Sequence, residues 1–153
     1  MKKRGFTLVE LIITILVIGV LAVTVTPRFL GSDLEEAVSL RDRVLQFTRN
    51  MQLRAMQNVN DPSCVKITAT VVAPPASHDC SQALSTNFDA DQVISSTGTD
   101  FSFVTTDENN ATFSQIQFNN LGQPTNIACS GTCRISVGSF AVCLEQEGAI
   151  YAC

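Results

Sequence analysis

A single acidic residue, Glu10, interrupts a run of uncharged residues that extends from Phe6 to Thr26. A charged side chain in a bilayer costs about 3 kcal/mol on insertion scales, and such groups usually meet a partner of opposite charge. The run contains no lysine or arginine, so a cation must come from elsewhere. Cleavage between Gly5 and Phe6 would create an α-amino group, and that group on a second copy of the chain is a suitable cation. The alternative is an interfacial carboxylate that extends to the lipid headgroups.

Six cysteines form the second set of reactive side chains, and all of them follow the apolar run. They are Cys64, Cys80, Cys129, Cys133, Cys143 and Cys153. An even number of this kind predicts disulfides formed in an oxidising compartment. Proximity in sequence favours pairing each cysteine with the next, in the order just given. A three-residue turn at 137–139 would instead place Cys133 opposite Cys143 and leave Cys129 for Cys153.

The remaining side chains give little support for catalysis or metal binding. His78 is the single histidine and is predicted to lie in a solvated loop. Cys129 and Cys133 have a spacing that zinc sites use, but the second ligand pair of such sites is missing. Asp89 and Asp91 could bind calcium, but the full loop signature is absent, and a solvated acidic loop is the alternative. We therefore predict no enzyme activity, no cofactor and no metal.

The element that must position Glu10 is a long apolar helix. At about 1.5 Å per residue, residues 6–26 would extend roughly 31 Å, which matches a hydrocarbon core of about 30 Å. Lys2, Lys3 and Arg4 precede the run and are predicted to stay on the cytoplasmic side, with the rest of the chain across the membrane. A cleaved secretory signal fits less well, because its apolar core is shorter and a small-x-small cleavage site follows it.

The sequence "KKRGFTLVEL" and the apolar run after it resemble the N-terminal signal of type IV prepilins and type II secretion pseudopilins. The resemblance implies a basic leader, residues 1–5, that ends at Gly5. A prepilin peptidase would cut after Gly5 and methylate the new terminal residue, Phe6. Glu10 would then meet the terminus of a neighbouring subunit during assembly.

The same resemblance implies a set of partners and a location. The partners are the prepilin peptidase, other pilin subunits, an inner-membrane assembly platform and membrane lipid. Before assembly, the chain would be a single-pass inner-membrane protein with a periplasmic head. After assembly, it would be part of a pilus at the cell surface.

Pro27 stands where the apolar run meets its first basic residue, Arg28. Because an interior proline removes a backbone hydrogen bond and bends a helix, we predict that residues 6–28 form a transmembrane assembly helix kinked near Pro27. Simple helix termination is the alternative. Residues 29–59 are predicted to form an amphipathic helix, because apolar residues recur every three or four positions. They are Ala37, Leu40, Val44, Phe47, Met51 and Ala55.

Residues 60–153 are predicted to form a disulfide-bonded antiparallel β head. Short segments of strand-forming residues alternate there with turn signals. The predicted strands are 64–72, 101–104, 111–118, 133–138, 139–145 and 148–153, with a turn at 119–124 and a loop region at 77–110. Helix first and strands afterwards indicate an α+β fold, with the long N-terminal helix packed on an antiparallel sheet.

The β head is acidic, because from residue 58 onward Lys66 and Arg134 stand against nine acids. Nucleic-acid binding needs clustered cations, so nucleic acid is not a predicted partner. The stretch "AVTVTPRFL" together with a cysteine-bearing head resembles minor pilins of the mannose-sensitive haemagglutinin (MSHA) pilus. We therefore predict a structural, minor subunit of a type IV pilus. The alternatives are a minor pseudopilin of type II secretion and an adhesive head displayed on a filament.

Overall fold

The computed structural model describes residues 7–29, 32–57, 63–76, 80–84, 92–127, 129 and 131–153, with the backbone alone for 22–29 and 32. The chain separates into two compact units, Met1–Glu35 and Glu36–Cys153. Helix α1, Leu8–Phe29, lies in the first unit, and helix α2, Ser32–Gln57, begins there and continues into the second.

The described strands belong to the second unit and form two antiparallel sheets rather than the single predicted sheet. The strands are β1 Ser63–Ile67, β2 Val71–Ala73, β3 Ile94–Ser95, β4 Phe103–Thr106, β5 Gln115–Phe118, β6 Thr132–Val137, β7 Phe140–Glu145 and β8 Ile150–Ala152. The first sheet has the order β3-β2-β1-β5, and the second has the order β4-β6-β7-β8. The predicted α+β class with antiparallel strands is confirmed.

Helix α2 places an apolar face in the core with both sheets. The predicted stripe is buried at five of its six positions, and only Phe47 is half-buried. Leu45 and Thr48 are also buried, although they lie outside the predicted stripe. The Thr48 hydroxyl donates a hydrogen bond to the Val44 carbonyl at 2.7 Å. The helix thus satisfies this buried polar group internally, and Thr48 can occupy a core position.

The predicted strand 64–72 is wrong, because the chain reverses direction inside it. The Thr68 N–H donates to the Val71 carbonyl at 2.8 Å. The Thr68 hydroxyl accepts a hydrogen bond from the Val71 N–H at 2.9 Å. This turn brings Val72 opposite Ile67, so that β1 and β2 form a hairpin. Threonine hydroxyls stabilise such turns locally, and the apolar alternation on either side of the turn concealed it.

Two further strands differ from the prediction. Strand β5 begins at Gln115, four residues later than predicted. The segment before it is held in a loop, because the Asp107 carboxylate accepts hydrogen bonds from the N–H groups of Asn109 and Ala111. Strand β3 lies within the predicted loop region, where its two residues gave no periodic signal. The predicted turn at 119–124 is confirmed by hydrogen bonds of Asn119 with its neighbours.

Two polar side chains of α2 attach it to the C-terminal part of the second unit. Arg49 donates from Nε and Nη2 to the Ile150 carbonyl at 3.0 and 2.6 Å. Gln52 Nε2 donates to the carbonyls of Gly122 and Gly148 at 2.7 and 2.6 Å. These bonds link the helix to the 119–124 turn and to the segment that enters β8.

Helix α1 continues through Pro27 and ends at Phe29, so termination at Pro27 is not what the structure shows. The kink near Pro27 stays a prediction. Among the residues that the structure describes, no helix has the combined length and hydropathy of a membrane span.

Candidate assembly site at the start of helix α1

Thr7 and Glu10 together form the first turn of α1. The Thr7 hydroxyl accepts a hydrogen bond from the Glu10 N–H at 3.3 Å, and the Thr7 carbonyl accepts one from the Leu11 N–H at 3.2 Å. Threonine at this position caps a helix by satisfying an N–H group that lacks an intrahelical partner. The spacing Thr-x-x-Glu is typical of a capping box, so this cap has a signal in the sequence alone.

The Glu10 side chain is exposed in this first turn. A carboxylate there interacts favourably with the positive end of the helix dipole. Among the residues that the structure describes, no lysine or arginine forms an ion pair with Glu10. The local structure therefore leaves the carboxylate open to a cation from outside the described part of the chain.

The large apolar side chains of α1 surround Glu10 and are exposed on all sides of the helix. Between residues 8 and 21, their exposed fractions range from 48% at Ile12 to 74% at Leu8. A helix that is apolar all round is normally covered by other apolar groups rather than by water. The start of α1 thus combines one charge with a continuous apolar surface.

Three residues predicted for this site are not described by their side chains. Gly5 and Phe6, the predicted cleavage residue and methylated terminus, lie outside the described residues. The side chain of Pro27 also lies outside them. The predicted contact between Glu10 and an α-amino group therefore stays a prediction.

The structure joins the cysteines into three disulfides. Cα–Cα distances are 5.8 Å for Cys64–Cys80, 5.3 Å for Cys129–Cys133 and 5.9 Å for Cys143–Cys153. All three lie within the usual range for disulfides. These are the pairs that proximity in sequence favours.

The alternative pairing, Cys133 with Cys143 and Cys129 with Cys153, is not formed. It required a three-residue turn between β6 and β7, and the turn in the structure has two residues. Val137 pairs with Phe140, so Gly138 and Ser139 alone form the turn. Gly138 has a φ of 58°, which glycine adopts readily. The resulting register places Cys143 opposite Arg134 instead of Cys133.

The other predicted candidates do not come together in a described site. His78, Asp89 and Asp91 lie outside the described residues. Within the described ranges, no group of three or more His, Cys, Asp and Glu side chains is arranged to hold a metal ion.

The exposed face of the second sheet carries a small polar cluster near β8. The Tyr151 hydroxyl donates a hydrogen bond to Glu145 Oε1 at 2.9 Å. This bond to a carboxylate raises the pKa of Tyr151 above its ordinary value, and partial desolvation and the charge of Glu145 act in the same direction. A side-chain hydrogen bond with Thr132 acts in the opposite direction, as does the charge of Arg134, which lies on β6 and is exposed.

Comparison with known proteins identifies the N-terminal segment. Residues 1–26 match the family model described as the prokaryotic N-terminal methylation motif. No curated protein and no solved structure matches the chain. A prepilin-type motif is typical of structural proteins that are first anchored in a membrane and then associated with a pilus. The motif implies processing by a prepilin peptidase and assembly with other pilins, and it supports placing this chain in the type IV pilin and pseudopilin family.

Proposed function

We propose that the chain is a structural, minor subunit of a type IV pilus that assembles through its N-terminal helix. In this proposal, residues 1–5 are a cleaved leader and residues 6–28 form the inner-membrane anchor and assembly helix. Residues 29–59 connect this helix to the periplasmic β head, residues 60–153. The observation that carries the proposal is the position of Glu10, an exposed charge on the first turn of α1, within the methylation motif and among large exposed apolar side chains from residue 8 to residue 21.

The α-amino group of Phe6 on a neighbouring subunit is the proposed partner of Glu10. An α-amino group has a pKa of about 8 and is mainly protonated at neutral pH. Burying an unpaired carboxylate costs several kcal/mol, and a close cation offsets that cost. Assembly then favours the arrangement in which the start of one α1 helix meets Glu10 of another. An inner-membrane assembly platform would bring the subunits together within the lipid.

Maturation provides the first test. We expect the membrane-extracted protein to lack Met1–Gly5 and to carry one additional methyl group on Phe6, because the basic leader ends at Gly5 and the apolar run begins at Phe6. Intact-mass analysis measures both changes. Retention of the leader, or cleavage after the apolar run, would contradict the proposal.

Substitution of Glu10 provides the second test. We expect Glu10→Leu to reduce incorporation into filaments at least tenfold while membrane insertion and folding of the β head persist. Glu10→Gln should have nearly the same effect, because the amide keeps the size of the side chain but loses its charge. The measurement is the amount of subunit in sheared filaments relative to its membrane pool.

Thr14→Leu is the matched control for Glu10→Leu. It also replaces a polar residue of α1 by leucine, but it removes no charge, and the Thr14 hydroxyl donates a hydrogen bond to the Leu11 carbonyl of its own helix at 2.8 Å. Its incorporation should stay within twofold of wild type. If Glu10→Leu enters filaments as well as Thr14→Leu, the carboxylate is an interfacial group without a role in assembly.

The pilus assignment draws on the MSHA resemblance, and the minor role draws on six cysteines and a long polar loop region, which are unusual for a major pilin. Recovery of the chain in sheared surface fibres would support it. Recovery only with the type II secretion machinery would favour a pseudopilin. Glycan or surface binding by the full-length protein would favour an adhesive role.

A further inference from the structure

The three disulfides differ in their exposure to solvent. Four cysteines are at most 2% exposed: Cys64, Cys129, Cys133 and Cys143. Cys80 is half-buried and Cys153 is exposed. Disulfide exchange requires a thiolate to reach one of the two sulfur atoms, so access to the bond controls the rate. The Cys143–Cys153 bond, which includes the exposed cysteine, is therefore the most accessible of the three.

This bond closes the hairpin formed by β7 and β8. Strand β8 has three residues, lies at the edge of the second sheet and pairs with β7. Beyond β8, the Cys153 N–H donates to the Ala141 carbonyl at 3.0 Å, and the Ala141 N–H donates back at 3.3 Å. As an edge strand, β8 forms its ladder hydrogen bonds with β7 alone among the described strands. The disulfide adds a covalent link to this strand pair at the open end of the hairpin.

Strand β8 is also the point at which α2 holds the C-terminal segment. The Ile150 carbonyl accepts both hydrogen bonds from Arg49, and Ile150 itself is buried. Gln52, one helical turn further along α2, binds the Gly148 carbonyl just before the strand. Separation of β8 from β7 would move the carbonyl that Arg49 binds. The disulfide and the Arg49 contact therefore support the same three-residue strand.

We propose that Cys143–Cys153 is a thiol–disulfide exchange site for a dithiol partner, and that its reduction releases β8 from β7 and from Arg49. A thiolate of the dithiol attacks Cys153 Sγ and forms a mixed disulfide. Cys143 Sγ leaves as a thiolate and takes up a proton. The second thiolate of the dithiol then attacks the partner's sulfur atom in the mixed disulfide and forms a disulfide within the partner. Cys153 Sγ leaves as a thiolate and takes up a proton, so the dithiol is oxidised. Two electrons pass to the protein, and the reverse reaction with an oxidised partner restores the bond.

The rate of reduction tests the site. Full-length protein in detergent micelles is exposed to dithiothreitol for graded times, quenched with acid and alkylated, and free thiols are located by peptide mass spectrometry. We expect Cys143 and Cys153 to become alkylated at least tenfold faster than the other four cysteines. Reduction of either other pair first, or of all three at one rate, would overturn the proposal.

Hydrogen exchange tests the release of β8. Amides of residues 149–153 should exchange at least tenfold faster after selective reduction, and also in the double variant Cys143→Ser with Cys153→Ser, which needs no reductant or alkylation. The double variant Cys64→Ser with Cys80→Ser is the control and should leave exchange at 149–153 unchanged. Unchanged protection of these amides in both the reduced protein and the Cys143/Cys153 variant would overturn the proposal.

Arg49→Met tests the link to α2. In the oxidised protein, this substitution should accelerate exchange at 149–153, because it removes both hydrogen bonds to the Ile150 carbonyl while keeping an apolar stem. In the reduced protein, it should add less than a twofold acceleration, because the contact is already lost. Equal accelerations in the two states would show that reduction leaves the Arg49 contact intact and would overturn that part of the proposal.

Discussion

Helix α1 and the second unit both contain many large apolar side chains, but the two regions expose them very differently. In α1, every large apolar side chain between residues 8 and 21 is at least 48% exposed. In the second unit, Val44, Ile116, Ile135 and Val142 are completely buried. The second unit thus covers its core with its own residues, whereas the large apolar side chains of α1 between residues 8 and 21 are not covered by the residues that the structure describes.

This comparison separates folding from assembly. Burial of apolar surface stabilises a protein by about 25 cal/mol per Å² removed from water. In the second unit that gain is made when the chain folds, and three disulfides add to it. In α1 the large apolar side chains between residues 8 and 21 are exposed, so the described residues do not make the same gain there. Substitutions in the two regions should therefore affect different measurements.

The largest expected effect concerns one leucine from each region. Leu144→Ala should lower the free energy of unfolding by about 2–5 kcal/mol, because it leaves a cavity in a closely packed core. Leu144 is 1% exposed, whereas Leu16 on α1 is 63% exposed. Leu16→Ala should change the unfolding free energy by less than about 0.5 kcal/mol. Urea unfolding of the full-length protein in detergent measures both.

Tyrosine fluorescence makes this measurement specific to the second unit, because the chain has one tyrosine, Tyr151, and no tryptophan. Wild type and Leu16→Ala should give the same urea midpoint. Similar losses of stability for the two variants would show that α1 contributes to the folding of the second unit, and the comparison would then fail.

The sequence predicted the parts of the second unit that depend on local signals. The stripe of α2 follows a helical period, and the β6–β7 hairpin follows a glycine turn between alternating residues. The hairpin at 68–70 was missed because a threonine side chain, not glycine or proline, forms its turn. The division into two sheets was missed because it rests on distant pairings such as Ser63 with Phe118.

For the candidate sites, the sequence predicted the N-terminal motif but not the contacts that hold β8. The charge pattern before Phe6 and the apolar run after it identify the N-terminal motif without any structure. The sequence also contains the cap between Thr7 and Glu10, as a Thr-x-x-Glu pattern. The long apolar run around this pattern conceals it. The attachment of β8 by Arg49 and Gln52 could not be predicted, since it joins residues that lie about a hundred positions apart.

A smaller effect concerns two glycines of the second unit that share the same backbone conformation. Gly148 and Gly98 both have a φ of 91°, but a Cβ on Gly148 would lie 2.6 Å from the Gly122 carbonyl oxygen, whereas a Cβ on Gly98 has nothing within 4 Å. Alanine in this conformation costs about 1–2 kcal/mol by itself. Gly148→Ala should cost about 1–3 kcal/mol more, because the neighbouring backbone must move.

Gly98→Ala is therefore the control for backbone strain, and the difference between the two variants measures the close approach at Gly148. Urea midpoints by tyrosine fluorescence give both values. Equal losses would mean that the segment before β8 moves away from Gly122 at no cost. That result would place this segment outside the closely packed part of the second unit.

The smallest expected effect lies on the exposed face of the second unit, where Tyr151 is 37% exposed. Its hydroxyl donates to the Glu145 carboxylate, and this bond, with some desolvation and the charge of Glu145, raises the pKa of Tyr151 above its ordinary value of about 10. The hydrogen bond from Tyr151 to Glu145 therefore contributes its full stability below the ordinary pKa of tyrosine, and this contribution is lost as the pH rises through the raised pKa of Tyr151.

Because Tyr151 is the one tyrosine in the sequence, absorbance at alkaline pH follows its ionisation alone. Glu145→Gln should lower its midpoint toward the ordinary value, whereas Glu147→Gln, which removes an exposed acid outside this contact, should not. If the titration midpoint of Tyr151 is unchanged in Glu145→Gln, the hydrogen bond between the two side chains does not persist in solution. The Tyr151 hydroxyl would then be open to solvent, as the exposed side chains of α1 are in the described structure.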